Sequence, residues 1–342
     1  MSAIGDGSRI FVGGGCGAPH GLLDAMVDAR NRWTTLEILA DYLLEPLPVF
    51  AHPGQPFRLT SLQPSRAVDG MREAGALATV PSSLRHFARL TGQDGPLPID
   101  VALIHVSPPG PEGRFSLGVG VGTPVEMMAN APLVIAQVNP RMPYTFGAGE
   151  LDRDEIDLLV DIEQPLVELP GSAVDATAAT IGSLVAAEIV DRSVLQFGVG
   201  AIPKAVLTAL TGHRDLGIHG GMIGDTVVEL YRSGALTGTH KSTWPGKMVV
   251  GAVLGSASSF EFVDRNPEVL MVPSSISHGP MALGRVDRFV AINSAVEIAL
   301  DGSINAETAG DRVLSGPGGQ PDYLIGAAEA PGGRSIIALP AT

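Results

Sequence analysis

The sequence contains few residues of the kinds that mark secreted, nucleic-acid-binding or membrane proteins. Cys16 is its single cysteine, so no intramolecular disulfide can form and a reducing compartment is the simpler expectation. Lys and Arg number 22 against 36 Asp and Glu, which gives a formal net charge of -14. This charge argues against nucleic acid or a membrane surface as partner, because both are themselves anionic. It does not exclude an anionic ligand, because backbone amides and helix N-termini supply local positive potential.

Long apolar runs and metal-ligand patterns are also missing. The opening segment MSAIGDGSRIFVGGG has no basic region followed by a long apolar run, and nothing later reaches the roughly 18 apolar residues of a spanning helix. The eight histidines are scattered without HxH or HExxH spacing, so no metal site is predicted. We therefore expect a cytoplasmic protein without a bound metal.

The sequence does contain the alternation of strands and helices that is typical of α/β proteins. With 342 residues, 45% of them hydrophobic and 17% charged, the chain exceeds the usual length of one domain, and two domains of comparable size are expected. Short apolar runs at Arg9–Val12, Val101–Val106 and Leu133–Val138 are each followed by Gly, Ser-Pro or Asn-Pro. Such runs predict buried parallel strands with active loops at their carboxyl ends.

The predicted domain boundary lies in the segment PLVELPGSA, which ends at residue 173. We assign residues 1–170 to the first domain and 171–342 to the second. Helical spacing follows the boundary between residues 176 and 189. The segments VLQFGVG, DLGIH, KMVVGAVLG, RFVAIN and SIIALP are then predicted strands, and a helix is expected to begin at Pro203. Both halves show the same alternation of strands and helices, so they are candidate distant duplicates.

Two glycine-rich turns are candidate binding loops for an anionic ligand. Gly198 and Gly200 lie in QFGVGAIP between a predicted strand and helix, and a second cluster lies in SGPGGQPD. Glycine lets the backbone approach a ligand closely, and a helix N-terminus attracts negative charge. A purely structural turn explains either cluster equally well, because glycine pairs are common in α/β proteins.

Eight stretches spread over nearly the whole chain occur in a characteristic order. They are VALIHVSPPGPEGRFSLGVGVG, LVIAQVNPRMPYTFG, LQFGVGAIPKAVLTAL, DLGIHGGMIGD, FVDRNPEVLMVP, FVAINSAVEIALDGSINAE, SGPGGQPDYLIGA and GGRSIIALP. In this order they resemble the acetyl-CoA hydrolase/transferase family, which includes 4-hydroxybutyrate, butyryl and succinyl CoA-transferases. The resemblance implies two open-sheet α/β domains of the NagB/RpiA-like type with the site between them. It also implies an acyl-CoA or coenzyme A substrate, no permanently bound cofactor, and a homodimer.

The resemblance further implies two groups of ligand contacts. Those expected for coenzyme A are Gly198, Val199, Gly200, Ala201, Ile202, Ala295, Gly318 and Gly319. Those expected to face the substrate from the first domain are Asn139, Met142 and Thr145.

The chemistry of the family requires a glutamate that attacks the acyl-CoA, forming an acyl anhydride and then a glutamyl-CoA thioester. That glutamate lies in a motif resembling IH(S/T)EM(F/I)SDG, whereas this sequence reads IHGGMIGDT from residue 218. His219, Met222 and Asp225 fix the register, so Gly221 occupies the position of the glutamate. The resemblance therefore implies that the usual covalent intermediate cannot form.

Other residues are candidates for the missing chemistry. His219 and Asp225 flank Gly221 and either orient a water as general base or serve as framework residues of the motif.

Cys16 is a second candidate. It precedes a predicted helix, whose N-terminus would lower the thiol pKa, and His20 is near in sequence. The alternative for Cys16 is a small residue packed in a tight turn. Three further acids, Glu112, Glu150 and Glu163, are expected at the surface.

Two functions remain open from the sequence. The first is an enzyme in which water attacks an acyl thioester while the amides of the glycine turns stabilise the oxyanion. The second is a catalytically silent homologue that binds CoA esters or supports a partner subunit. Gly220, Gly221 and Gly224 are expected to enlarge the centre and favour a bulky acyl group. The chain stops at SIIALPAT, so the tail that follows in the family is expected to be absent.

Overall fold

The computed structural model describes residues 1–341, which form two seven-stranded parallel sheets covered by helices. The predicted α/β class with two open sheets is confirmed. In the first half the strands are β1 (Arg9–Val12), β2 (Leu36–Tyr42), β3 (Phe57–Gln63), β4 (Leu77–Thr79), β5 (Val101–Val106), β6 (Phe115–Ser116), β7 (Leu133–Val138), β8 (Phe146–Gly147), β9 (Glu150–Leu151) and β10 (Leu158–Asp161). The helices there are α1 (His20–Asp28), α2 (Asp69–Glu73), α3 (Phe87–Thr91) and α4 (Gly122–Met128).

The second half contains the remaining elements. Its strands are β11 (Val194–Phe197), β12 (Gly217–Ile223), β13 (Met248–Val253), β14 (Val269–Met271), β15 (Phe289–Ser294), β16 (Glu297–Ile298), β17 (Ile304–Asn305), β18 (Thr308–Ala309), β19 (Arg312–Val313) and β20 (Arg334–Ala338). Its helices are α5 (Ala176–Ala187), α6 (Ala201–Ala209), α7 (Asp225–Arg232), α8 (Ala257–Val263), α9 (Ser274–Ser277), α10 (Pro280–Leu283) and α11 (Gln320–Glu329). Within residues 1–341 no helix combines the length and apolarity needed to cross a bilayer.

The first sheet has the strand order β10-β7-β5-β1-β2-β3-β4, and every pairing in it is parallel. All three apolar runs that predicted strands in this half are strands with the predicted bounds. The interior strand β5 is buried along its whole length, as expected for a parallel sheet covered on both faces. Prediction missed β2 and β3, in which polar residues interrupt the apolar pattern.

The second sheet has the order β20-β15-β11-β12-β13-β14-β8 and is also parallel. Its edge strand β8 comes from the first half of the chain, where Phe146 pairs with Leu270 of β14. Residues 162–175 contain neither helix nor strand. The boundary at residue 170 stays a prediction, and the sheet pairing itself crosses it.

The helix predicted to begin at Pro203 begins at Ala201 instead. Gly200 has a φ of +127°, a conformation that only glycine adopts readily, and it ends the extended segment so that the helix starts at once. Pro203 then lies in the first turn, where its missing N–H costs nothing. The turn is thus fixed by its glycine.

The two halves are held together by backbone contacts around β13. The Val121 N–H donates to the carbonyl of Gly251 over 3.0 Å, and the Val253 N–H donates to that of Val119 over 2.8 Å. One apolar core continues through both halves, with members such as Phe11 and Val250 fully buried. The carboxyl ends of both sheets therefore face a common space.

Candidate functional site

A cavity of about 570 Å³ lies between the carboxyl ends of the two sheets. The first half contributes residues 14–16 after β1, the ends of β2 and β3, and residues 119–124 before and within α4. The second half contributes the ends of β11, β12, β13 and β15, parts of α9, and residues 315–324. Ligands of open parallel sheets bind at this end of the strands, so the position fits a binding site between two domains.

Both predicted glycine turns lie on this cavity. Gly198 and Val199 line it before α6, and Gly318 and Gly319 line it before α11. Gly318 has a φ of +57°, so glycine is required for the close turn. The backbone N–H groups at the start of two helices thereby supply positive potential to an otherwise acidic protein.

The remaining predicted coenzyme A contacts lie beside the cavity and do not line it. Gly200, whose φ is described above, borders a smaller neighbouring cavity of about 200 Å³. Ala201 and Ile202 form the first turn of α6 behind the glycines. Ala295 follows β15, whose lining residue is Asn293. Their contacts with a ligand stay predictions.

Gly221 lies in β12 and lines the cavity, and two buried rings fill the space in front of it. A Cβ atom at Gly221 would lie 2.9 Å from Nε2 of His278 and 2.9 Å from the hydroxyl oxygen of Tyr323. The two rings are themselves 4.8 Å apart between centroids. The position that the motif resemblance gives to the nucleophilic carboxylate is thus occupied by an imidazole and a phenol from elsewhere in the chain.

The imidazole and the phenol are both uncharged. Nδ1 of His278 pairs with the Ser277 hydroxyl at 2.9 Å, which leaves Nε2 beside Gly221 and Gly319. Burial lowers the pKa of His278 to about 3 and raises that of Tyr323 well above its ordinary value. Neutral hydrogen-bonding groups therefore lie where the family chemistry expects a negative charge.

The expectation that glycines enlarge this centre is wrong. A Cβ at Gly220 would lie 3.1 Å from Cγ of Gln196, and one at Gly224 would collide with the carbonyl of Leu254. At Gly221 the two rings described above take the volume. Each glycine is packed closely, so the space for an acyl group comes from the cavity between the sheets.

His219 is placed away from the cavity. It is fully buried, and its ring lies 5.6 Å from that of Trp244 and 6.4 Å from that of Phe289. Nε2 lies 3.3 Å from the carbonyl oxygen of Ile276. Burial, and then the nearby Lys241, lower the pKa of His219 to about 4. The geometry favours the framework alternative for this residue.

Asp225 also has a structural environment, because its side chain connects two helices. It begins α7 and accepts hydrogen bonds from the Ser256 N–H at 3.1 Å, the Ser256 hydroxyl at 2.9 Å and the Ser259 hydroxyl. These bonds tie α7 to α8, and Asp225 borders only the smaller cavity. A catalytic role for Asp225 stays a prediction that this geometry does not favour.

Cys16 lines the large cavity, but its thiol is protonated. Burial raises the pKa of Cys16 to about 11, so the expectation that a helix N-terminus lowers it is wrong: loss of water around the sulfur outweighs the helix dipole. His20 lies 3.6 Å from Glu45 and does not line the cavity. The alternative of a small residue packed in a turn fits the structure.

The three predicted substrate residues lie elsewhere. Asn139 is buried, and its side-chain amide donates to the Gln164 carbonyl at 2.8 Å. Thr145 is also buried and donates to the Gly118 carbonyl at 2.9 Å. Met142 borders a second cavity of about 550 Å³. None of the three lines the large cavity, so their contact with an acyl group stays a prediction.

Sequence reasoning missed the polar residues that β2 and β3 bring to the cavity, Asp41 and Gln63. Asp41 follows the segment LEILA, and an acid near the end of a largely buried strand is the signal that could have pointed to it. Its pKa is raised to about 7 by burial. His278 and Tyr323 were missed because the fold alone places them against Gly221.

The loop of residues 315–321 closes one side of the cavity by contacting the first half. The Leu84 N–H donates to the carbonyl of Gly318 at 3.1 Å. Nε of Arg85 lies 3.0 Å from a carboxylate oxygen of Asp322, which is fully buried. No well-aligned hydrogen bond reaches that carboxylate, so the contact is mainly ionic. This clasp, formed by Leu84, Arg85, Gly318 and Asp322, holds the second glycine turn over the cavity.

Comparison with known proteins identifies the family to which this chain belongs. Residues 1–163 match the acetyl-CoA hydrolase/transferase N-terminal domain, and residues 255–342 match the C-terminal domain. The chain belongs to the acetyl-CoA hydrolase/transferase family. It is 34% identical over 349 aligned positions to the 4-hydroxybutyrate coenzyme A transferase of Clostridium kluyveri, covering 100% of this chain and 80% of that protein.

Other members of the acetyl-CoA hydrolase/transferase family are similarly related. Succinyl-CoA:acetate/propanoyl-CoA:succinate CoA transferase from Fasciola hepatica is 33% identical over 98% of this chain and 71% of its own length. Among solved structures, RipA from Yersinia pestis has a TM-score of 0.91 at 28% identity, covering 100% of this chain and 80% of RipA. The 4-hydroxybutyrate CoA-transferase of Porphyromonas gingivalis has a TM-score of 0.82 at 29% identity, covering 100% of this chain and 79% of that one. The two-sheet fold is therefore that of CoA-transferases.

The shifted pKa values of buried side chains predict that this protein loses stability in mild acid. Burial lowers the pKa of His105 and His219 to about 4 and of His278 to about 3, so unfolding takes up three protons below pH 6.5. Burial raises the pKa of Asp41 to about 7 and of Asp322 to about 6, so these release two on unfolding. More protons are therefore taken up than released, and the free energy of unfolding should fall by about 1 kcal/mol from pH 6 to pH 5.

Urea denaturation at pH 6 and pH 5 measures this slope. The matched control is His219→Phe, because a phenyl ring suits the apolar site beside Trp244 and removes one titrating group. In that variant the difference in the free energy of unfolding between the two pH values should be clearly smaller than in the wild-type protein. A wild-type protein whose stability rises on acidification would contradict the assignment of neutral buried histidines.

Proposed function

We propose that this chain hydrolyses the thioester of an acyl-CoA by direct attack of water. The observation that carries the proposal is the environment of Gly221: no side chain is available there for a glutamyl-CoA intermediate, and neutral His278 and Tyr323 face the position. A neutral imidazole and phenol donate hydrogen bonds but do not form the anhydride that transfer to a second carboxylate needs. We therefore assign the attack on the thioester to a water molecule.

The cavity supplies what thioester hydrolysis requires. Gly198 and Val199 precede α6, and their turn presents backbone N–H groups to the oxyanion that forms when the thioester carbonyl is attacked. Nε2 of His278 lies beside Gly221 on the same cavity. Donors fixed in advance on rigid elements stabilise the developing charge without reorganising.

We further propose an acyl group larger than acetyl. The cavity of about 570 Å³ is lined by apolar residues from both halves of the chain, among them Val119, Ile304 and Leu324. Burial of additional methylene groups against such walls favours binding by about 0.8 kcal/mol each. Coenzyme A would enter as substrate along the two glycine turns. A cytoplasmic, homodimeric enzyme is part of the same proposal.

Calorimetric titration of the purified protein with CoA, acetyl-CoA and butyryl-CoA tests the proposal, with free thiol followed in parallel. We expect all three to bind and butyryl-CoA to release thiol faster than acetyl-CoA. Addition of acetate or succinate should leave the rate unchanged. A rate that requires the added carboxylate would instead identify a transferase, and binding without thiol release would identify a silent binding homologue.

A further inference from the structure

A buried carboxylate on the first-half wall of the cavity has an unsatisfied oxygen. Asp41 lies near the carboxyl end of β2, lines the cavity and is only 9% exposed. Its Oδ1 atom has no hydrogen-bond partner. A polar oxygen buried without a partner is costly unless a ligand or water reaches it. The position therefore points to a group that Asp41 contacts when the cavity is filled.

Two neighbouring groups favour the charged form of the Asp41 carboxyl group, but burial opposes it. The Thr123 hydroxyl and the backbone N–H of Gly14 favour the charged form, but burial outweighs them and brings the pKa to about 7. Neither Lys nor Arg from the described part of the chain lines the cavity. A carboxyl group that titrates near neutrality is suited to accept a proton and to return it.

Thr123 also connects Asp41 to the opposite wall. Oγ1 of Thr123 lies 3.4 Å from the Ser274 hydroxyl oxygen in α9, four residues before His278. Asp41 thus faces the same space as the neutral His278, from the other half of the chain. One wall carries a proton acceptor and the other carries a hydrogen-bond donor.

We propose that Asp41 is the general base of the hydrolysis, an inference that rests on the function proposed above. The Asp41 carboxylate accepts a proton from water as the water oxygen bonds to the thioester carbonyl carbon. Nε2–H of His278 donates to the carbonyl oxygen as it becomes negative, with Nδ1 accepting from the Ser277 hydroxyl. When the C–S bond breaks, Asp41 returns its proton to the sulfur. One acyl-CoA and one water give one carboxylic acid and one free thiol.

The deciding variant is Asp41→Asn, which keeps the shape of the side chain and removes the base. Loss of a general base lowers a rate by about 100- to 10,000-fold, and we expect this loss in thiol release from butyryl-CoA. Its dissociation constant by calorimetry should stay within about threefold, and the urea midpoint should not fall, because a buried charge has been removed. If Asp41→Asn fails to fold, Asp41→Ser gives the same comparison.

The matched control is Glu37→Gln, at the other end of β2, where Glu37 pairs with Arg9 at 2.8 Å outside the cavity. It should reduce stability slightly and leave thiol release within about threefold. Full activity in Asp41→Asn, or equal loss of activity in both variants, would overturn the role of Asp41. Failure of the wild-type protein to release thiol would instead overturn the proposed hydrolysis itself, so the two failures are distinguishable.

Discussion

We expect Gly221→Glu alone to create no transferase activity and to lower the free energy of unfolding by about 3 kcal/mol. The first side-chain atom would lie 2.9 Å from both His278 and Tyr323, two rings that are at least nine-tenths buried. Overpacking of this kind costs about 1–3 kcal/mol. A carboxylate placed there also lacks a basic partner and adds a desolvation cost. Restoring the glutamate alone is therefore not enough for transferase activity, because the two rings fill the volume that its side chain needs.

Gly221→Glu combined with His278→Ala and Tyr323→Phe should recover that space, because this combination removes both atoms that lie 2.9 Å from the first side-chain atom. We expect it to gain carboxylate-dependent transfer of CoA, measured as incorporation of radiolabelled acetate into acetyl-CoA from butyryl-CoA. Gly221→Gln with His278→Ala and Tyr323→Phe is the control, because it has the same volume without a nucleophile. A single Gly221→Glu variant that folds normally and transfers CoA would contradict the packing described for His278 and Tyr323.

The second large effect is expected from Arg85→Met, which removes the ionic partner of the buried Asp322 carboxylate. Removing one member of a buried pair costs about 3–5 kcal/mol, and because the Arg85 side chain is 34% exposed we expect about 2 kcal/mol by urea denaturation. Gly318 and Gly319 should then lose their fixed position. The dissociation constant of acyl-CoA, measured by calorimetry, should rise about tenfold.

Two control variants test whether the ionic contact between Arg85 and Asp322 causes the loss of stability. Arg89→Met, on the same segment but exposed, should change stability by less than about 0.5 kcal/mol. Adding Asp322→Asn to Arg85→Met should return most of the lost stability, because the uncompensated charge disappears. Burial raises the pKa of Asp322 to about 6, so the cost of Arg85→Met should also shrink at pH 5. Equal losses at Arg85 and Arg89 would rule out the ionic contact as the cause.

The parts of the fold that depend on local pattern were predictable from sequence. The strands β5 and β7 have continuous apolar runs and appear with the predicted bounds. In contrast, β2 contains Glu37 and Asp41, so its apolar pattern is broken. Glu37 is explained by its pairing with Arg9 from the neighbouring strand, a contact that no local window of sequence contains.

The candidate site was predictable only as far as its glycine turns. Gly198 and Gly318 carry local signals, namely a strand before them and a helix after them. What fills the space beside Gly221 depends on His278 and Tyr323, which are distant along the chain and arrive by the packing of α9 and α11. The same distance separates Asp41 from the second half, so the composition of the cavity is a property of the assembled fold.

The pairing of β8 with β14 sets a limit on how this protein can be divided by genetic engineering. A fragment that begins after residue 170 would lack Phe146 and Gly147, and the backbone of β14 would become an open edge. Open edges recruit strands from other molecules and promote aggregation. A split reporter or circular permutant should therefore retain residues 146–147 on the fragment that carries the second sheet.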